Sequence, residues 1–207
     1  MALVFSDTFT EASDVALGSH TPEVGTGWNV IIGDINVRSD LDRATAANAG
    51  AGNRALCQDD FGTDGYDVEA DIWISASATV FGGVIGRAQS ASVLGPDFCE
   101  FTYDEGPGGW SLTAGEESDF VSEAFPTAPA NVRLEVRNTG IKGYVNDVLK
   151  CEIPAVGNGN GRNWCGLTLG NFDTSVNDFN ADNFTVNTVV ASAIAAISSY
   201  YRMMGMR

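Results

Sequence analysis

The segment Tyr66-Asp-Val-Glu-Ala-Asp-Ile-Trp-Ile74 concentrates the residue types best able to do chemistry. Successive side chains of an extended strand point to opposite faces. Asp67, Glu69, Asp71 and Trp73 therefore share one face, and Tyr66, Val68, Ala70, Ile72 and Ile74 the other. Carboxylates accept hydrogen bonds from sugar hydroxyls, and an indole offers an apolar plate to a pyranose ring, so Glu69, Asp71 and Trp73 are candidate glycan-binding residues. Glu100 and Asp104, with Thr102, lie on the polar face of Phe98–Asp104 and extend the patch; Trp110, in Gly-Pro-Gly-Gly-Trp, is a second platform. The alternative is an ordinary solvated sheet face with one shielding tryptophan. Glycoside hydrolysis with retention needs two carboxyl groups about 5–5.5 Å apart, one ionised and one protonated. Glu69 and Asp71 sit roughly 6.5–7 Å apart at Cα, and no catalytic residue is assigned.

Other groups are weighed in the same way. Asp7 and Asp182 are candidate ligands of a structural calcium ion, for which hard oxygen donors are suited. No compact D-x-D-x-D loop supports them, and no other cofactor is expected. The four cysteines, Cys57, Cys99, Cys151 and Cys165, are widely spaced without a C-x-x-C pair, and His20 is the single histidine, which disfavours zinc. Four reduced core thiols is the first expectation; a cross-strand disulfide stays open. His20, between Ser19 and Thr21, is expected to be a loop residue without a chemical partner. Asn183-Phe-Thr185 fits a glycosylation sequon and is better taken as strand.

Composition narrows the partners. The 207 residues carry 27 acidic against 11 basic side chains, a net charge of −16. Binding nucleic acid through phosphates needs the opposite balance, as does docking on an anionic membrane. The start of the chain has neither a basic region nor an apolar run of signal-peptide type, so synthesis without export is expected. No window has the roughly 18 apolar residues of a membrane span.

Glycine, at 24 residues, implies many turns, and short alternating runs recur along the chain. The clearest are Leu3–Phe9, Trp28–Ile32, Tyr66–Ile74, Val80–Ala88, Phe98–Asp104, Asn131–Arg137, Ile141–Asn146, Val148–Ile153, Trp164–Leu169 and Asp182–Val186. Asn138-Thr139-Gly140 and Asn146-Asp147 make tight reversals, so Asn131–Ile153 is predicted to be a three-stranded meander. Residues 105–118 and 155–163 are expected to be surface loops. From Val189 onward apolar residues take helical spacing, so residues 1–188 form one expected domain and 189–207 an appended tail. That tail either packs back on its own sandwich or docks on a partner through Val190, Ile194, Ile197, Tyr201 and Met204.

Several segments together resemble the concanavalin A-like lectin and glucanase jelly roll, the group that includes laminin-G-like and laminarinase-like domains. They are Phe5-Ser-Asp-Thr-Phe9, Leu17–Trp28, Val132–Val136, Gly143–Leu149, Cys165–Leu169 and Asp182–Thr185. The resemblance spans roughly residues 3–187 and implies an all-β, antiparallel two-sheet jelly-roll sandwich whose terminal strands are neighbours. Laminarinase-type glucanases carry E-x-D-x-x-E on a strand; Glu69 and Asp71 match its first two positions, but Ile74 stands at the last. The opening residues look like the start of such domains in tailed-virus structural proteins. This implies a non-enzymatic virion decoration protein, made in a host cytoplasm, held in many copies or as a homo-oligomer by capsid or tail proteins, and touching host-surface glycans. The competing expectation is a lectin or glycoside hydrolase acting through Glu69, Asp71 and Trp73.

Overall fold

From Ala130 to Arg137 every second side chain is buried, as the alternation of Val132, Leu134 and Val136 with Arg133, Glu135 and Arg137 requires. Gly140–Val145 pairs with this strand and Val148–Pro154 with Gly140–Val145. Asn146 and Asp147, both at positive φ (49° and 61°), form the tight turn between them. The predicted meander is present.

The computed structural model describes residues 1–47, 50–61, 65–74, 80–126, 128–154, 163–171 and 179–189. Its strands are β1 (Ala2–Asp7), β2 (Val15–Ala16), β3 (Trp28–Ile32), β4 (Ile35–Arg38), β5 (Arg43–Ala46), β6 (Gly50–Cys57), β7 (Tyr66–Ile74) and β8 (Val80–Ala88). They continue as β9 (Cys99–Asp104), β10 (Gly109–Ala114), β11 (Glu117–Ser122), β12 (Ala130–Arg137), β13 (Gly140–Val145), β14 (Val148–Pro154), β15 (Trp164–Asn171) and β16 (Phe179–Thr188). A nine-stranded sheet runs β14-β13-β12-β7-β16-β5-β4-β2, with β1 also on β16; a seven-stranded sheet runs β11-β10-β9-β8-β15-β6-β3. All pairings are antiparallel, and among the described residues the one helical element is a 3-10 turn, Leu17–Ser19. The all-β sandwich expected from the turn rhythm is therefore the fold. The last strand among the described residues ends at Thr188; the tail from residue 190, with its docking stripe, lies outside them, as does most of the expected loop over residues 155–163.

The expected loop over residues 105–118 is corrected: it holds β10 and the start of β11. Trp110, Leu112 and Ala114 alternate with Ser111 and Thr113, and this period of two outweighs the glycines and acids around it. The segments β4, β5 and β6 were also strands without a strong alternating signal, since Ala44, Ala46 and Ala55 fill inner positions with little hydrophobic contrast.

Both inner faces build one core. Phe5 and Phe184, from the terminal strands, hold Trp28 edge-on at ring separations of 5.1 and 4.9 Å. At the other side, Trp110 stacks on Phe101 at 5.3 Å and meets Tyr103 and Phe125. The four cysteines are free and buried. The edges β11 and β14 meet through the Glu152 N–H, which donates to Asp119, and a Lys150–Glu123 ion pair. Removing a fully buried phenyl ring leaves a cavity as well as a transfer loss, so Phe184→Ala is expected to destabilise the fold by roughly 3–5 kcal/mol in urea unfolding followed by tryptophan emission. A loss under about 1 kcal/mol there contradicts the packing described.

Candidate functional site

The outer face of the nine-stranded sheet carries Glu69, Asp71 and Trp73 as the alternation of β7 predicts, but their groups are largely engaged. The Arg43 guanidinium lies over the Trp73 ring, 3.8 Å from its centroid, on the surface a sugar ring would use. Arg133 approaches Glu69 at 3.5 Å and also covers Tyr144. Burial pushes the Glu69 carboxyl up, and the Arg133 charge opposes that rise. Asp71 accepts hydrogen bonds from the side-chain amides of Asn131 and Asn183, at 3.2 and 2.9 Å. Asp182 stands directly opposite Asp71 in the register, and burial, then the neighbouring acid, pushes its carboxyl up to about 6. The strand β16 bulges just beyond it, with Asn183 at φ 49° and exposed.

The expected Asp7–Asp182 calcium pair is corrected. Asp7 points inward with no solvent exposure, and donors fill its oxygens: the Phe9 N–H and His20 Nε2 at 2.7 Å, and the Trp28 indole N–H at 2.5 Å. Asp182 points outward from the nine-stranded sheet, so the two carboxylates sit on opposite faces; Asp7 is not a cation ligand. Among the described residues no three His, Cys, Asp or Glu side chains gather as a metal site. His20 is likewise corrected from a bare loop residue to a buried one, bonded to Asp7 and, at 2.7 Å, to Glu11. Its partners lie 13 and 9 residues away, beyond any local spacing rule.

Glu100, Asp104 and Trp110 do not extend the β7 patch, because β9 and β10 belong to the other sheet. Trp110 has no exposed surface and serves the core, so it offers no plate to a ligand. Glu100, 8% exposed, is gripped by Arg54 through two hydrogen bonds of 3.2 Å and accepts a third from the Thr168 hydroxyl. Asp104 is half-buried and caps the Gly106 N–H at 2.9 Å.

The outer face around them is built from small polar residues. One row across adjacent strands reads Arg54, Thr168, Gly83, Thr102, Ser111, Phe120; the next reads Leu56, Gly166, Ile85, Glu100, Thr113, Ser118. Five strand spacings make each row roughly 24 Å long. The loop after β8 covers the apolar end of this face, over Leu56, Ile85 and Ala88, where the Asn29 side chain donates to the Ala91 carbonyl at 2.8 Å. At the other end Phe120 is 46% exposed, and its ring lies over Gly109, where a Cβ would come within 2.6 Å of it. The strand Glu117–Ser122 contains the signal for this ring: period two places Phe120 outward with Ser118 and Ser122, an aromatic on a polar face. A cleft of about 340 Å³ beside Ile74, Tyr103, Glu105 and Phe125 is walled mostly by apolar groups and lacks several converging polar groups.

No protein-family model matches the chain, and no curated protein does. Solved structures do. A protein of unknown function with a galectin-like fold from Bacillus subtilis superposes with a TM-score of 0.65 at 10% identity, over 92% of this chain and 97% of that one. A glycosyl hydrolase family 16 protein from Mycobacterium smegmatis gives 0.61 at 14%, over 90% and 100%. The carbohydrate-binding module CBM66 from Bacillus subtilis gives 0.56 at 15%, over 79% and 97%. The fold is a galectin-like and glucanase-like β-sandwich jelly roll.

Removing Arg54 leaves Glu100 as a nearly buried charge without its counter-ion, so Arg54→Met is expected to lower stability by about 3 kcal/mol. Glu69→Gln, at a half-exposed pair, is expected to change it by less than about 1 kcal/mol. Thermal or urea unfolding of both variants checks the contrast, and equal losses contradict it.

Proposed function

We propose that the protein is a carbohydrate-binding β-sandwich that takes its glycan on the outer face of the seven-stranded sheet without cleaving it. The observation that carries this is the Phe120 ring, lying against Gly109 and 46% exposed, beside the half-exposed hydroxyls of Thr102, Ser111 and Thr113 and the Asp104 carboxylate. An aromatic plate with a few placed polar groups is the composition that a sugar ring requires. The sandwich shared with a carbohydrate-binding module and a glycosyl hydrolase supports the reading at the level of fold.

Binding is favoured over hydrolysis on geometry. Glu100 is committed to Arg54 and Thr168, and Asp104 follows four residues along the same strand, roughly 13 Å away. A retaining pair needs about 5–5.5 Å and an inverting pair about 6.5–9.5 Å. On the other sheet, Glu69 and Asp71 are occupied by Arg133 and by two amides. Attachment to a virion keeps the sequence resemblance as its support, and its docking stripe lies outside the described residues.

Affinity electrophoresis through gels of neutral polysaccharides is expected to retard the wild-type protein. Phe120→Ala is expected to weaken binding about 2- to 13-fold, the range set by the loss of one stacking contact of roughly 0.5–1.5 kcal/mol. Trp73→Ala is expected to bind as wild type. Retardation lost in Trp73→Ala but kept in Phe120→Ala moves the site to the other sheet, and release of reducing ends replaces binding by hydrolysis.

A further inference from the structure

Both ring nitrogens of His20 lie 2.7 Å from a carboxylate oxygen, Nε2 from Asp7 and Nδ1 from Glu11. A neutral imidazole has one N–H and can donate to only one of them; the imidazolium donates to both. The imidazole side chain is 2% exposed and Asp7 is not exposed at all, while Glu11 is 30% exposed. Asp7 is the last residue of β1 and also binds the Phe9 N–H and the Trp28 indole, so the three side chains tie β1 to the connection that leads to β3. Phe9, whose ring is 6.0 Å from the imidazole, closes the site from one side.

We propose that Asp7, His20 and Glu11 form a pH-sensitive clamp, in which the imidazolium pins residues 8–27 onto the sandwich and its deprotonation releases the Glu11 end. On loss of one proton, one carboxylate faces a ring lone pair instead of a donor. Glu11, the solvent-accessible partner, is the one that can move into water.

The neighbouring charges agree with this assignment. Burial by itself disfavours an imidazolium, yet the bonds to Glu11 and then Asp7 outweigh it, and His20 holds its proton above the ordinary 6.5. A raised histidine contributes its full stabilisation below 6.5 and loses it as pH rises through the folded value. Asp7, pushed up by burial against its bonds from Trp28 and His20, has the same sign, and the NMR titration of the imidazole distinguishes the two. Glu23 also feels the imidazolium; burial raises it, but its Thr8 bonds bring it below its ordinary value, so its contribution is lost only in acid. Arg38 on β4, which packs against the turn preceding His20, is paired with Asp14 and Asp40, and β3 carries no charged side chain. Asp59 lies beyond Thr26, whose N–H it accepts. The buried thiols Cys57, which feels the Asp7 charge, Cys99 and Cys151 are also pushed up by burial and have the same sign, but their loss begins only near the ordinary thiol value of 9.0. Between 6.5 and about pH 8 the fall is assigned to His20.

The test titrates the single histidine of the intact chain by NMR and measures the melting temperature from pH 6.5 to about pH 8, below the range in which the unfolded thiols ionise. The expected result is a His20 pKa above 6.5 and a melting temperature that falls through it in the wild type but stays level in His20→Gln. Glu11→Gln keeps an acceptor and removes a charge at a partly exposed position, so it is expected to fold even where the His20 variant does not. It is expected to lower the His20 pKa and shift the fall to lower pH. Hydrogen exchange is expected to show amides of residues 8–27 losing protection selectively above that pKa. A His20 pKa at or below 6.5, a titration unmoved by Glu11→Gln, or the same alkaline fall in His20→Gln overturns the clamp.

Discussion

A strand has two faces, and in a two-sheet sandwich one of them is committed to the core. On β9 this sends Cys99, Phe101 and Tyr103 inward and leaves Glu100, Thr102 and Asp104 outside. The same constraint acts on every strand, so chemistry is confined to two outer faces that cannot cooperate across the core. Neither of the two groups of candidate residues can reach the other. The protein has two separate polar surfaces, distinguished by how far their groups already satisfy one another.

On the nine-stranded sheet the satisfaction is extensive. Arginines cover Trp73 and Tyr144, and Asn131 and Asn183 bond Asp71. In a chain with 11 basic residues against 27 acids, each arginine placed on that face is one fewer elsewhere. The seven-stranded face uses Arg54 to neutralise Glu100 and, away from its covered apolar end, presents hydroxyls, glycines, the Asp104 carboxylate and the Phe120 ring. A surface of that kind attracts ligands through hydroxyl hydrogen bonds and ring contact, with little net electrostatic pull on an anion.

The N-terminal seam follows a different logic. The strand β1 pairs with β16, and their aromatic side chains enclose Trp28, so the first and last described strands close the core together. The polar cap of this cluster is the Asp7 carboxylate, which would be costly to bury without its three donors. Packing and protonation are therefore joined at one residue, and a change at His20 is felt at the strand that seals the fold.

Alternation and turn chemistry are local properties, and they were legible. The spans Trp28–Ile32, Tyr66–Ile74 and Val80–Ala88 are strands with the bounds their residue patterns indicate, and Asn146-Asp147 turns where two positive φ values are needed. The outward direction of Glu69, Asp71 and Trp73 followed from the same period. What local pattern could not decide was which strands become neighbours. Trp110 sits among glycines yet is enclosed by Phe101, Tyr103 and Phe125. His20 acquired its role from Asp7 across the fold, Glu100 from Arg54 46 residues away. Whether a polar side chain is solvated, neutralised or left facing a ligand depends on those long-range neighbours, and only the assembled sheets bring them within a few ångströms.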